Sequence, residues 1–484
     1  SNRFLKDLSS SLRKNNWDIR VHYADCLGCS LSETSGTVTS TTNSLEALFI
    51  SAQKDTPRYG IAVDIGTTTV VVYLVDLDDG RIIDVGSTYN SQIRYGDDVI
   101  TRIIYATEKN GLEELRKAVI EDINTITNSM ATRHSINKED ILSAAIAGNT
   151  TMSHIFWGLD PASIREEPYI PTVNFFPVWR AGTAGLDINP QAPVYTLPCV
   201  ASYVGGDIVA GVLASRMHRS PEISLFMDIG TNGEIVVGNN EWLMTAACSA
   251  GPCFEGSGIK SGMRATKGAI EQIRFNPSTL EPEFSVIGDA RPIGICGSGM
   301  IDAMSEMFIK GIIDQKGKFI RTRTDRIREG EEGLEYVFYE DTRSNIKVVL
   351  TEPDIENIMR AKAAIYAGVS LLLKEAGLDL NSIEKVYIAG GFGNYLNPKK
   401  AILLGMLPDL PVERFVFLGN TSIAGAYLCL LSKRMRQEAE EISQKMTYME
   451  LSVSRGFMDE YLSALFLPHT ELERFPSVME ILRS

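Results

Sequence analysis

The pentapeptide Asp64-Ile65-Gly66-Thr67-Thr68 returns, changed only at its last residue, as Asp228-Ile229-Gly230-Thr231-Asn232, 228 − 64 = 164 residues later. Each copy closes an apolar, β-branched run (59–65 and 223–229), and a second such run follows at once (69–77 and 234–237). Strands joined by so short a Gly-Thr link predict a hairpin. Internal repetition limits the fold to two related halves. A second echo accompanies the first. Gly148-Asn149-Thr150 follows the first hairpin and Gly419-Asn420-Thr421 the second, each opening a helix of small residues. Each half is therefore expected to read strand, hairpin, strand, helices, strand and a Gly-Asn-Thr helix start.

The hairpins suit phosphate. Glycine lets turn amides converge on an anion, and threonine hydroxyls add donors without bulk. Gly66, Thr67, Thr68 and Thr69 form one such turn, and Gly230, Thr231, Asn232 and Gly233 the other. A carboxylate at each strand end would repel phosphate unless a cation intervened. Asp64 and Asp228, set opposite each other, would make a hard-oxygen site for hydrated Mg²⁺, held through water. Other phosphate motifs are missing: there is no GxxxxGK[ST] and no GxGxxG after a strand.

The rest of the chain reads α/β. Leu112, Leu115, Val119, Ile123 and Ile126 form an amphipathic stripe, 141–147 a buried strand, and 206–217 a helix. The stretch 161–198, with seven prolines, reads as a long irregular connection. Thr351-x-x-Asp354 with Pro353 is a capping box, and its helix carries Ile355, Ile358, Lys362, Ile365, Val369 and Leu372 on one stripe. One lysine in that register needs a reason: a ligand, or a snorkelling side chain. Gly294-Ile295-Cys296-Gly297-Ser298-Gly299 opens another helix, where the amides of Gly297 and Ser298 could meet a nucleotide or simply make a close packing turn. The Gly-rich stretch 249–258 could line a cleft or form a surface loop.

Composition narrows the class. A net charge of −14 argues against a general nucleic-acid or anionic-membrane binder. No apolar run approaches the ~18 residues of a membrane span. Seven scattered cysteines point to a reducing, cytoplasmic setting, with Cys26-x-x-Cys29 the one close pair.

With these motifs in order, the chain resembles the actin, sugar-kinase and Hsp70 ATPase superfamily, from about Tyr59 onward. The resemblance implies two α/β lobes of ribonuclease H-like fold around a nucleotide cleft. The hairpins match its phosphate motifs, and Ala389-Gly390-Gly391-Phe392-Gly393 matches its adenosine motif. The two Gly-Asn-Thr helices match its connecting motifs. The superfamily places a water-orienting carboxylate shortly before the second hairpin. Asp207, 228 − 207 = 21 residues ahead of Asp228, fills that place, so Asp207, Asp64 and Asp228 are the expected catalytic residues. Lys362 matches a basic residue the superfamily uses near the adenosine.

Further matches at 62–70, 148–152, 248–252, 294–299 and 389–393 resemble the reductive activators of corrinoid proteins. That resemblance implies ATP hydrolysis, with Mg²⁺, gating a one-electron reduction of cob(II)amide to cob(I)amide on a corrinoid protein partner. A homodimer is plausible on the same basis, and no nucleic-acid or membrane partner is expected. Family members usually carry an iron–sulfur domain, and a plant-type [2Fe–2S] cluster needs a C-x₄-C-x₂-C run that this sequence lacks. Together with a start at Ser1 rather than Met, this makes a trimmed N-terminal cluster domain the expectation, with 1–57 the remnant of a linking segment, 58–204 the first lobe and 205–484 the second. A small-molecule kinase and a non-catalytic ATP-dependent interaction module are the competing readings.

Overall fold

The computed structural model describes residues 20–26, 44–51, 57–390, 396–454 and 456–483. Two compact units divide the chain. The first comprises Ser1–Glu166, Phe175–Leu197 and Ala426–Arg436; the second comprises Glu167–Asn174, Pro198–Gly425 and Gln437–Ser484.

In the first unit, β1 (Arg20–Cys26) and β2 (Ser44–Ser51) pair antiparallel as a separate ribbon. The main sheet holds β3 (Tyr59–Ile65), β4 (Thr69–Asp76), β5 (Ile82–Tyr89), β6 (Ile141–Gly148), β7 (Trp179–Arg180) and β8 (Pro193–Thr196), in the order β5-β4-β3-β6-β8-β7. β3, β4 and β5 form an antiparallel meander, while β6 and β8 add parallel. The stripe Leu115, Val119, Ile123 and Ile126 of the helix Leu112–Arg133 is buried against this sheet. Burial of that apolar face stabilises the layer at roughly 25 cal/mol per Å².

The second unit repeats the plan. β9 (Ser224–Ile229), β10 (Gly233–Gly238) and β11 (Leu243–Cys248) form the meander. Two small sheets intervene: β12 (Ala269–Phe275) with β13 (Pro282–Val286) and β14 (Gly294–Ile295), and β15 (Ile327–Gly330) with β16 (Gly333–Asp341) and β17 (Ile346–Thr351). β18 (Lys385–Ala389), β19 (Phe415–Gly419) and β20 (Met446–Tyr448) complete a main sheet ordered β19-β18-β9-β10-β11-β20. β18 is parallel to both β9 and β19. Numbered from each hairpin strand, both sheets share one order, third-second-first-fourth-fifth, so the duplication seen in the motif extends to the topology. The helix Glu352–Glu375 starts at its capping box, with Thr351 and Asp354 each bonding the other's backbone amide.

Topology corrects two expectations. The proline-rich stretch 161–198 is not wholly irregular, because it carries β8, the fifth-place strand of the first sheet. The two Gly-Asn-Thr segments are not counterparts either. Gly148-Asn149-Thr150 follows the fourth-place strand β6, whereas Gly419-Asn420-Thr421 follows the fifth-place strand β19. The fifth-place strand of the first sheet leads instead to the helix Gly206–Ser215. That helix meets the helix Thr421–Leu431 closely: a Cβ on Gly425 would lie 2.4 Å from Ala210 Cα.

Candidate nucleotide site

Each hairpin lies within one of the two units. In the first, β3 and β4 pair as far as Ile65↔Val70, which leaves 66–69 as the turn. Gly66 N–H donates to Thr69 O at 2.9 Å, and a Cβ on Gly66 would sit 2.8 Å from that oxygen, so only glycine fits. Asn90 fastens the turn from both sides: its backbone N–H donates to Thr68 O, and its Nδ2 donates to Gly66 O, each at 2.9 Å. Asn149 caps the helix Thr150–Trp157 by accepting from Met152 N–H, and its Nδ2 reaches Thr67 Oγ1 at 3.1 Å. Asp64 is buried at the end of β3, and its charge, second to burial, raises the Tyr73 phenol above its ordinary range.

In the second unit the pairing runs to Ile229↔Gly233, so the turn is 230–232. Gly230 N–H donates to Asn232 O at 3.0 Å. Here a Cβ on Gly230 would meet nothing closer than Glu255 Oε1 at 3.5 Å. Thr231 Oγ1 donates to that same oxygen at 3.1 Å. The Gly-rich stretch 249–258 therefore lies against the turn, and Glu255 joins the site without having been singled out in the sequence. Cys253 and Phe254 anchor it by burial.

Gly390 ends β18 at φ +102°, and a Cβ there would lie 2.4 Å from Ile229 O and 3.0 Å from Asp228 Oδ1. Gly148 stands at the same node of the first sheet, where a Cβ would lie 2.9 Å from Ile65 O. Ala147 pairs with Asp64, and Ala389 pairs with Asp228. The structural counterpart of Gly148 is thus Gly390, not Gly419. Gly391, Phe392, Gly393 and Cys29 lie outside the described residues, and of Cys26 only the backbone is described.

The electrostatics centre on Glu234, which closes the segment resembling the second phosphate motif and to which the sequence assigned no role of its own. It is buried, and it stands directly opposite Asp228 across the β9–β10 pair. Burial first, then the charges of Asp207 and Asp228, push its carboxyl well above the usual carboxylate range. Asp207, in the first turn of the helix Gly206–Ser215, therefore belongs to the same carboxyl group cluster as Asp228. Like charges so placed favour a shared proton or a cation. Among the described residues no three ligating side chains converge as a direct metal cage. Asp207 and Asp228 are hard-oxygen groups of the type from which hydrated Mg²⁺ takes one or two carboxylates.

The side chains of Lys362 and Ser298 are both engaged by backbone carbonyls. Lys362 does not snorkel. Its ammonium is fully buried and donates to Phe466 O and, at 2.7 Å, to Pro468 O. Desolvation holds it well below the ordinary lysine range. The lysine ties down the C-terminal segment, which accounts for its place in an apolar stripe. Ser298 spends its hydroxyl on Glu271 O at 3.1 Å, and Gly297 opens the helix Gly297–Ile309, whose N-cap Cys296 makes no side-chain cap bond. Cys248, Cys253 and Cys296 are buried free thiols, and burial pushes Cys253 up to about 12.

A duplicated sheet of this order, with a Gly-Thr hairpin and strand-end aspartate in each copy, defines the ASKHA class of actin- and sugar-kinase-like folds. Residues 222–479 match the family model described as the C-terminal, ASKHA domain of RACo, and residues 59–220 match the RACo middle region. The chain belongs to that family, the RACo-type reductive activators of corrinoid proteins. It is 34% identical over 423 residues to the corrinoid activation enzyme RamQ of Eubacterium limosum, covering 85% of this chain and 71% of that one. It is 26% identical to the methylated amine-specific corrinoid protein Co(II) reductase of Methanosarcina barkeri, covering 87% and 80%. A solved reductive activator for a corrinoid, iron–sulfur protein superposes with TM-score 0.89 at 49% identity, covering 98% of this chain and 74% of that chain.

Proposed function

We propose that this chain hydrolyses ATP to drive one-electron reduction of a corrinoid protein, cob(II)amide to cob(I)amide, readying cobalt to accept a methyl group. The electron comes from a low-potential iron–sulfur donor. The observation that carries the reading is the carboxyl cluster Asp207, Asp228 and Glu234 beside a Gly-Thr hairpin, on the sheet of a family whose named members activate corrinoid proteins.

In this reading turn amides and hydroxyls of Gly66 to Thr69, and those of Gly230 to Gly233, donate to phosphate oxygens. Gly390, with Gly391, Phe392 and Gly393 after it, receives the adenosine, and Gly297 and Ser298 offer helix-start amides. Asp207 orients the water that attacks the γ-phosphate and takes its proton. Burial and the neighbouring charges of Asp207 and Asp228 favour the protonated form of Glu234, which places a proton donor beside them. Asp228 fits hydrated Mg²⁺, and Asp64 is the equivalent hard-oxygen donor in its own sheet. When bound, Mg²⁺ neutralises charge on the transferred phosphoryl group.

The test is optical. The chain is mixed with a cob(II)amide corrinoid protein, ATP, Mg²⁺ and a reduced iron–sulfur donor, and the cob(I)amide band is followed. ATP-dependent growth of that band supports the reading. Turnover that instead requires an added acceptor alcohol would replace it with a kinase.

A further inference from the structure

The largest fully buried side chain of the described residues is Arg102, on the helix Val99–Glu108. A buried guanidinium normally carries a carboxylate with it, because an unpaired charge taken out of water is costly. Arg102 has none among the described residues. Its nearest acidic neighbours, Asp97 and Asp98, are exposed, and Asp98 spends its carboxylate capping the helix at Thr101 N–H, 2.7 Å away. Arg102 Nε donates to Gly96 O at 2.9 Å and Nη1 to Gln92 Oε1 at 3.1 Å; Nη2 is buried without a hydrogen-bond partner. Burial lowers its pKa to about 10, so the side chain still carries its charge at neutral pH.

The neutral groups around it lead to one place. Gln92 Oε1 also accepts from Asn90 Nδ2 at 3.3 Å, and Gln92 Nε2 is held by Leu115 O at 2.9 Å. Asn90 Nδ2 in turn donates to Gly66 O, and Asn90 N–H donates to Thr68 O. The sulfur of Met152 lies 3.6 Å from Arg102 Nη1 and 3.8 Å from Asn90 Nδ2, and Met152 N–H is the one capped by Asn149, which holds Thr67. Three successive residues of the first turn are thus braced by a buried polar layer that ends on an unpaired cation.

We propose that Arg102 is a positioning residue for the nucleotide, fixing the first phosphate turn through Gln92 and Asn90 and supplying a buried positive charge behind it. The inference rests on the ATP reading above. A buried cation with no ion-pair partner among the described residues is costly, and it becomes favourable when a polyanion arrives. Interactions of this kind are realised in ground-state binding, so they act on KM and leave kcat nearly unchanged.

The experiment measures Mg-ATP binding by calorimetry and KM and kcat for ATP turnover, on the wild-type chain and on Arg102→Met, Arg102→Lys and Gln92→Leu. Loss of a hydrogen bond to a charged group predicts a Kd and KM for Arg102→Met raised about tenfold or more, with kcat within about threefold. Arg102→Lys, which keeps the charge without the fork, should recover part of the affinity. Gln92→Leu should move KM in the same direction, and it decides the matter if Arg102→Met does not fold. ATP binding by both variants at wild-type strength would overturn the assignment. Absence of ATP binding by the wild-type chain would overturn the nucleotide reading itself.

Discussion

Asp64 and Asp228 occupy equivalent nodes of two separate sheets of the same order, yet their surroundings differ. Across the strand pair Asp64 faces Val71, whereas Asp228 faces Glu234. The first turn spans four residues, admits no side chain at Gly66, and is braced by Asn90 and Asn149. The second spans three, leaves ordinary room at Gly230, and is surrounded by carboxyl groups at 207, 228, 234 and 255. Duplication therefore preserved the geometry and divided the chemistry. The first hairpin is a braced cradle with a single strand-end carboxylate, Asp64, and a buried guanidinium behind it; the second is a concentrated acidic site.

The largest effect should come from testing that division at Asp207. General-base contributions are typically 10²–10⁴-fold, so Asp207→Asn should lower ATP turnover by about that factor while ATP binding persists. Single-turnover hydrolysis beside calorimetric binding checks it, and full turnover by Asp207→Asn would move the base elsewhere in the acidic group.

Glu234→Gln sharpens the contrast with Val71. A carboxyl raised in the folded state stays protonated while its unfolded counterpart, near 4.5, ionises as pH rises. Glu234 therefore costs no stability below that value, and its cost grows above it until its own folded pKa is reached. Glu234→Gln should melt like wild type at acid pH and progressively higher than wild type as pH rises through 4.5 toward neutrality. A melting difference that does not change with pH would mean the carboxyl is not raised.

How much of this was legible in the sequence follows from which signals are local. The hairpins were legible because Asp-Ile-Gly-Thr specifies its own turn, and repetition supplied the fold. Glu234 was not, because the property that matters is its neighbours across the strand and on a distant helix. Gly-Asn-Thr misled for a physical reason: Asn149 and Asn420 are both N-caps, accepting from Met152 and Ile423 N–H. A capping residue recurs wherever a helix starts, whatever its ancestry. The true echo, Ala147-Gly148 with Ala389-Gly390, is only two residues long and needed strand register to be seen. Lys362 was correctly noticed as anomalous, but a buried ammonium has the same sequence signature whether its partner is a ligand or a carbonyl.

The two turns should also differ mechanically. Gly66→Ala places a carbon 2.8 Å from Thr69 O, so something in the turn must shift. Overpacking of that kind costs about 1–3 kcal/mol. Gly230→Ala meets only ordinary contacts and should stay within about 0.5 kcal/mol of wild type. Denaturant unfolding of the two variants compares them directly, and equal losses would show that the second turn is as tightly built as the first.

The smallest effect separates two residues that look alike. Asn149→Ala and Asn420→Ala each remove one helix cap, which costs about 1 kcal/mol. Equal stability losses are expected, because each side chain accepts one amide at its helix start, at 2.9 Å and 3.1 Å. Asn149 also donates to a phosphate turn, through Thr67 Oγ1. Asn149→Ala should therefore weaken ATP binding, by a factor of about 2–10 if a neutral hydrogen bond that orders the turn is lost. The binding change should exceed that of Asn420→Ala even where their melting temperatures agree. If both variants bind ATP equally well, the brace on Thr67 is structural, and the rigidity of the first cradle rests on Asn90 and the buried layer behind it.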